Sequence, residues 1–142
     1  MLDTLDIQIL RLLERNSRIS YTDISKSVQM SRPSVVERMN KLIEKGIIER
    51  FTMKLSVKKM GRPIAGFLHI SNMKPPLATM LELLQRKEVI EVYSVTGENN
   101  FIAKVAVKDM EEMEVLLSDL MPFCRIVTSL IIIDHNVDRF IF

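Results

Sequence analysis

The chain has 142 residues, of which 47% are hydrophobic and 27% are charged. This length and composition are typical of a soluble globular protein with one ordinary domain or two small ones. No apolar run approaches the ~20 residues that span a bilayer, and the N-terminus lacks the basic cluster of a signal peptide. Together with a single cysteine, these features predict a cytoplasmic protein without membrane contact or disulfide framework.

The charges are distributed unevenly along the chain. Residues 1–60 hold 12 Lys and Arg against 7 Asp and Glu, whereas residues 61–142 hold 8 against 11. A basic N-terminal half is the electrostatic feature expected of a module that binds a polyanion such as double-stranded DNA. A chance fluctuation in a chain of this size is the alternative, and the charge count leaves it open.

Two helices are predicted before residue 30. Leu and Ile residues recur at helical spacing over residues 4–15, which indicates an amphipathic helix. A break follows, and Ser20 with Asp23 three residues later forms the acidic variant of a capping box. A second helix is therefore expected to begin directly after Ser20.

The third helix has an apolar face and a polar face. Ser31 is expected to cap its start, Pro33 is tolerated in its first turn, and Gly46 marks its end. At about 100° per residue, its apolar side chains fall on one face roughly 120° wide, which predicts core contacts. The predicted core residues of this helix are Val35, Val36, Met39, Leu42 and Ile43.

Two short helices joined by a tight turn over residues 17–46 are typical of a helix-turn-helix motif. Such motifs present the second helix to base edges in the major groove of DNA. A charged outer face is also what any solvated helix shows, so the helix alone leaves both interpretations open. The predicted DNA-binding residues are Arg32, Ser34, Glu37, Arg38, Lys41 and Lys45.

The hydrophobic period changes from 3.6 to 2 over residues 51–58, which predicts a strand. Three helices followed by a strand would form a winged helix-turn-helix. Lys54, Lys58 and Lys59 would then lie along phosphates, or they would be solvated lysines that protect an edge strand. Gly and Pro punctuate residues 59–63, which predicts a linker and two domains, 1–60 and 61–142.

The second half reads as β-α-β-β-α-β. Strands are predicted over 64–71, 89–96, 101–107 and 125–134, with helices over 76–87 and 110–121. This order is that of the ferredoxin-like fold, in which two helices cover one face of a four-stranded antiparallel sheet. The whole chain is therefore predicted to be an α+β protein. Apolar residues on both sides of the strands favour pairing of the open face with a second copy of the chain.

Four motifs then occur in a specific order. An LD-x-x-D-x-x-IL start is followed by N-x-R and by S-x-x-x-V-x-x-R-x-x-x-L-x-x-x-G-x-I, and TGENNFIAKV occupies residues 96–105. Over nearly its full length the chain resembles the Lrp/AsnC, or feast/famine, family of transcriptional regulators, and an archaeal source is expected. The resemblance implies an N-terminal winged helix-turn-helix and a C-terminal ferredoxin-like effector-sensing domain.

The resemblance also implies a homodimer that assembles into larger rings, with an octamer expected. An amino acid or a related small metabolite would bind between dimers and change the assembly or the DNA affinity. The positions carried over as effector-binding are Thr96, Gly97, Asn99, Asn100, Thr128 and Ser129.

The sequence departs from the family pattern at Asn100, where the family usually has Asp. A neutral amide is a poorer partner for an ammonium group than a carboxylate is. Glu98 or Asp119 would then supply the charge, or the effector differs from a common α-amino acid, or none is bound.

Two other classes of function stay open. The chain is similar in fold to the siroheme decarboxylases, but it shows no catalytic motif, and no cofactor is expected. The candidate metal ligands, His69, His135 and Cys124, fall short of a closed zinc site, so no metal is expected either. The other alternative is a metabolite sensor that acts through protein partners rather than DNA.

Overall fold

The computed structural model describes residues 2–135, which form two compact units. The first spans residues 2–54 and the second spans Leu55–His135. This division comes earlier along the chain than the predicted boundary at residue 60. Within residues 2–135, no helix is long and apolar enough to cross a membrane.

The N-terminal unit consists of three helices, at the positions predicted from the sequence: α1 (Thr4–Arg15), α2 (Tyr21–Ser27) and α3 (Arg32–Glu44). One apolar cluster joins the three helices, because each contributes side chains that are 7% exposed or less. The buried members of this cluster are Ile9, Leu10, Ile24, Val28, Val35, Met39 and Leu42.

Both ends of α3 are closed by local hydrogen bonds. At the start, Ser31 Oγ accepts a hydrogen bond from Ser34 N at 3.2 Å. At the end, Gly46 has a φ of +67°, and Gly46 N donates to Ile43 O at 2.9 Å. The next amide, Ile47 N, donates to Leu42 O at 2.9 Å, which completes a Schellman motif. The predicted limits of the helix therefore follow from its capping residues.

The apolar face of α3 is narrower than predicted. Val35, Met39 and Leu42 are buried, but Val36 is only half-buried and Ile43 is 44% exposed. The assignment of Ile43 to the core was wrong. At 100° per residue, Val36 and Ile43 lie at the edge of the apolar face, and two short neighbouring helices cover only its centre.

The predicted strand over residues 51–58 is not formed. This segment contains neither helix nor strand, and Phe51, Met53 and Leu55 are 54%, 76% and 56% exposed. A strand needs a partner for its backbone groups, and every strand in the described part of the chain lies between residues 64 and 130. Apolar and polar residues do alternate in this segment, but it has no neighbouring strand to pair with in the described part of the chain.

The second unit has the ferredoxin-like topology predicted from the sequence. Its elements are β1 (Ile64–Ser71), α4 (Leu77–Leu83), β2 (Val89–Ser94), β3 (Phe101–Val107), α5 (Met110–Leu120) and β4 (Arg125–Leu130). The four strands are all antiparallel to their neighbours, in the order β2-β3-β1-β4. The strand β4 ends at Leu130, opposite Gly66, which is earlier than the predicted end at residue 134.

The two faces of this sheet differ in what covers them. Leu68, pairing with Ala103, and Ile70, pairing with Phe101, are buried in one cluster with apolar residues of α4 and α5. The alternate residues point to the other side, where no described helix packs. Tyr93 and Val127 on that open face are 54% and 53% exposed. The second unit thus has one covered and one uncovered face.

Glu112 ties the start of α5 to two other segments of the second unit. Its carboxylate accepts the N–H of Lys108 at 2.8 Å and lies 3.4 Å from both Arg62 Nη1 and Lys87 Nζ. Arg62 also donates to Ala106 O at 2.8 Å. The backbone N–H of Lys108, and then the two cations, hold the pKa of Glu112 below its usual range.

The difference in burial between Met39 and Ile43 predicts that replacing each by alanine lowers the free energy of unfolding unequally. Met39→Ala should lower the free energy of unfolding by about 2–5 kcal/mol, because it leaves a cavity in the three-helix core. Ile43→Ala on the same helix should cost less than about 1 kcal/mol. Urea unfolding followed by the helical circular dichroism signal measures both. Equal losses would contradict the exposure of Ile43.

The lowered pKa of Glu112 predicts a contribution to acid sensitivity. Its stabilising effect is present above the pKa of an unfolded-chain glutamate and is lost as the pH falls through the lower value of the folded state. Glu112→Gln should therefore be less stable than wild type at neutral pH and lose less stability on acidification. Urea midpoints between about pH 7 and pH 3 test this. Glu114→Gln, at an exposed position of the same helix, should keep the wild-type pH dependence.

Candidate nucleic-acid interface and effector site

The outer face of α3 carries exposed cations and one acidic side chain. Arg32, Lys41 and Lys45 are exposed, and so is Glu37. Lys41 Nζ lies 2.6 Å from Glu37 Oε1, one helical turn away, and this hydrogen bond lowers the pKa of Glu37. Because both side chains are more than half exposed, the pair adds little stability and can exchange partners readily.

Arg38 occupies a different environment from the other predicted DNA-binding residues. Its Nη1 atom donates to Asp3 Oδ2 at 2.6 Å and to Asp6 Oδ1 at 2.7 Å, and the side chain is 25% exposed. The hydrogen bond to Asp3, followed by that to Asp6, raises the pKa of Arg38. Arg38 is thus held against the start of α1. Asp3 and Asp6 are not among the site residues predicted from the sequence, although their D-x-x-D spacing at a helix start is a visible signal.

A cleft of about 450 Å³ lies within the first unit, beside the start of α1 and the outer face of α3. Five of the six predicted DNA-binding residues line it, and Arg32, at the first turn of α3, does not. Ser34 is half-buried there, and its Oγ lies 2.7 Å from the Oγ of the capping Ser31. The lining charged and hydroxyl residues are Asp3, Asp6, Ser34, Glu37, Arg38, Lys41 and Lys45.

The loop between β2 and β3 carries four of the predicted effector-binding residues. Gly97 has a φ of +102°, with open space where a Cβ would be. Asn100 closes the loop: its N donates to Ile70 O at 2.7 Å, and its O accepts from Val95 N at 3.2 Å. Its Oδ1 also accepts from Met73 N at 3.4 Å. The Asn100 side chain therefore contributes to the fold of the loop itself.

The two predicted effector positions on β4 do not join this loop within one chain. β2 and β4 are the opposite edges of the sheet, three strand spacings or roughly 14 Å apart. Thr128 pairs with Leu68 and Ser129 with Phe67, so the two side chains point to opposite faces. Ser129 Oγ lies 3.2 Å from His69 Nε2, on the open face. A single chain thus does not bring the six positions together.

Two further features bear on the chemistry of the second unit. Asp119, one of two residues considered as a substitute acid, lies 2.6 Å from Arg86 and is held in that ion pair. Within residues 2–135, no group of three or more His, Cys, Asp or Glu side chains is placed to hold a metal ion.

In comparisons with known proteins, each of the two units matches a family model. A family model described as winged helix-turn-helix DNA-binding matches residues 2–49, and one described as Lrp/AsnC ligand binding domain matches residues 73–139. An HTH-type transcriptional regulator of Pyrococcus horikoshii is 31% identical over 121 residues, covering 84% of this chain and 77% of the relative.

Solved structures share the fold of the described residues. The structure of LrpC from Bacillus subtilis has a TM-score of 0.88 and 24% identity, and the match covers 96% of this chain and 98% of that one. A transcriptional regulator of Neisseria meningitidis, solved as a complex with L-Met, has a TM-score of 0.85 and 22% identity, with 96% and 94% covered. From the two matching domains and the sequence relative, the chain belongs to the Lrp/AsnC family of HTH-type transcriptional regulators.

Proposed function

We propose that this chain binds specific sites in double-stranded DNA and that an amino acid or a related small metabolite modulates its assembly or its DNA affinity. The observation that carries the proposal is the division of α3 into two faces. Val35, Met39 and Leu42 fix the helix in the three-helix core, while Lys41 and Lys45 remain exposed on the outside. A regulator of this kind acts by binding rather than catalysis, and it is expected in the cytoplasm, where the DNA is.

The outer face of α3 suits the major groove in size and charge. The helix has 13 residues, about 20 Å in length, and a major groove about 12 Å wide admits such a helix. Exposed Arg32, Lys41 and Lys45 supply donors for phosphates or for guanine edges. Glu37 can accept a hydrogen bond from a cytosine amino group if Lys41 turns to the backbone.

A second copy of the chain is the proposed occupant of the open sheet face. This face has no covering layer in the described part of the chain and exposes Tyr93 and Val127 by about half, whereas apolar sheet faces are normally covered. An isologous dimer formed there would present two α3 helices to half-sites about one helical turn apart, ~34 Å. We propose that such dimers assemble further, to an octamer.

The proposed effector site combines residues of two chains. Thr96, Gly97 and Asn99 lie in or beside the β2–β3 loop of one chain, whereas Thr128 and Ser129 lie on the far edge of the sheet. Both sets can meet one ligand only if β4 comes from a neighbouring chain. The L-Met complex of the Neisseria meningitidis protein supports the class of ligand. Because Asn100 is neutral, we propose that the site binds an ammonium group less strongly than it would with an acid at this position.

Selection of bound duplexes from a random pool tests the DNA-binding proposal. Enrichment of pseudo-palindromic sites with half-sites about 10 base pairs apart is the expected result. Thermal-shift screening of the same protein against the amino acids and their biosynthetic intermediates tests the effector, because a ligand of the folded state raises the melting temperature. A pool that shows no enriched sequence would overturn the proposal of specific binding.

Lys41 is predicted to contribute to DNA binding. Lys41→Ala should weaken binding to the selected duplex and, if the lysine contacts phosphate, lower the slope of log K against log salt by up to about 1. If it reads a base edge instead, specificity at one position should relax. Lys108→Ala, which removes a lysine paired with its neighbour Asp109 in the second unit, is the control and should bind as wild type. Unchanged affinity, slope and specificity for Lys41→Ala would remove it from the interface.

Gly97 is predicted to be required for the effector response. An alanine at a φ of +102° is strained, so Gly97→Ala should reshape the loop and abolish the thermal shift caused by the effector. DNA binding without effector should persist. Gly61→Ala is the matched control, because Gly61 also has a positive φ, +85°, with open space around its Cβ position. An equal loss of response in both variants would show that strain in the second unit, rather than the loop, is responsible.

A further inference from the structure

Arg38 and the two aspartates at the start of α1 form one hydrogen-bonded unit. Asp3 and Asp6 first cap α1 reciprocally: Asp6 N donates to Asp3 Oδ1 at 2.9 Å, and Asp3 N donates to Asp6 Oδ2 at 3.2 Å. The other oxygen of each carboxylate accepts from Arg38 Nη1, at 2.6 and 2.7 Å. The same two side chains therefore close the first turn of α1 and hold the middle of α3. We call these three residues the clamp.

The clamp connects segments that are far apart in the sequence and partly shielded from water. Arg38 is separated from Asp3 and Asp6 by 35 and 32 residues. The side chain of Asp6 is 16% exposed and that of Arg38 is 25% exposed, so this ion pair is less screened than that of Lys41 and Glu37. A charge-assisted interaction with two acceptors is also directional, unlike the apolar contacts that hold the rest of α3.

The position of Arg38 couples the clamp to the outer face. On a helix, residues three and four apart are neighbours, so Ser34 and Lys41 flank Arg38 on the outer side. Val35, Met39 and Leu42 pack in the core, but apolar contacts are less directional than hydrogen bonds and oppose a small rotation of α3 about its axis less sharply. Such a rotation would move Ser34 and Lys41 relative to any bound duplex. A hydrogen-bonded anchor at Arg38 restricts it.

We propose that Arg38 is a positioning residue, which, through Asp3 and Asp6, fixes the rotation of α3 and thereby aims Ser34 and Lys41 at the DNA, rather than a residue that reads bases itself. This inference rests on the proposed DNA-binding function and specifies the role of one residue in it. It replaces the prediction, made from the sequence, that Arg38 is itself one of the DNA-binding residues of α3.

Replacing both aspartates by asparagine distinguishes positioning from base reading, because the two roles predict changes in DNA affinity of opposite sign. Asn is about as good a helix cap as Asp, so the Asp3→Asn, Asp6→Asn double variant keeps the cap acceptors but removes both charges that hold Arg38. A positioning role predicts that binding to the selected duplex weakens about tenfold, or about 1.4 kcal/mol, although the protein loses two negative charges. A reading role predicts tighter binding, because Arg38 is released from the two acids and becomes free to contact the DNA.

Four further measurements complete the test. Arg38→Gln should weaken binding as the double variant does, and the triple variant should show no additional loss, because the residues act as one unit. The salt slope should not fall in the double variant, since no cation is removed. Arg38→Lys, which keeps the ion pair, should recover part of the affinity. All affinities are measured at a temperature where circular dichroism shows every variant to be folded.

Each result then has a separate meaning. Tighter binding by the double variant, or wild-type affinity in folded Arg38→Gln, would overturn the positioning role while leaving the DNA-binding proposal intact. Wild-type protein that binds the selected duplex no more tightly than a scrambled duplex of equal length would instead overturn the proposed function, and the role of Arg38 in it.

Discussion

The N-terminal unit depends on one constraint: α3 must bury one face well enough to stay in place while the other stays exposed. Three side chains meet the first requirement, since Val35, Met39 and Leu42 are at most 2% exposed. The Ser31 cap and the Schellman motif at Gly46 fix where the helix begins and ends. Because apolar contacts are less directional than hydrogen bonds, small rotations of α3 are what the core opposes least, and the clamp at Arg38 is the directional contact proposed to restrict them. The core thus fixes the packing of α3, the caps fix where it begins and ends, and the clamp restricts its rotation.

In the second unit, a sheet likewise buries one face and leaves the other exposed. Its covered face contains a close-packed apolar cluster, and its loops and edges carry the polar groups that hold the ends of the strands together. Asn100 illustrates how much of a candidate ligand loop is occupied by its own fold, because its backbone and side-chain groups bind Ile70, Val95 and Met73. Residues that close a loop in this way shape a site even when they do not contact the ligand.

Much of the fold could be predicted from the sequence because local rules determine it. Capping residues and apolar periodicity placed α1, α2 and α3, and alternation with turn residues placed the strands of the second unit. What depends on distant partners could not be predicted in this way. The strand over 51–58 lacked a neighbour, Ile43 lay beyond the reach of the other helices, and Arg38 found its partners 32 and 35 residues away. The candidate site is correspondingly less predictable than the fold, because a charged side chain on a helix surface can pair in several directions.

The contact between Glu37 and Lys41 has a consequence for selectivity. Lys41 carries its own counterion in the free protein, one helical turn away at 2.6 Å. A phosphate that approaches this lysine displaces a carboxylate that remains close by, and the repulsion between the two anions offsets part of the electrostatic gain at this position. The same carboxylate repels phosphates that arrive in other orientations. A helix surface balanced in this way gains little from charge alone, and a duplex is held firmly only where its base edges add to the binding energy.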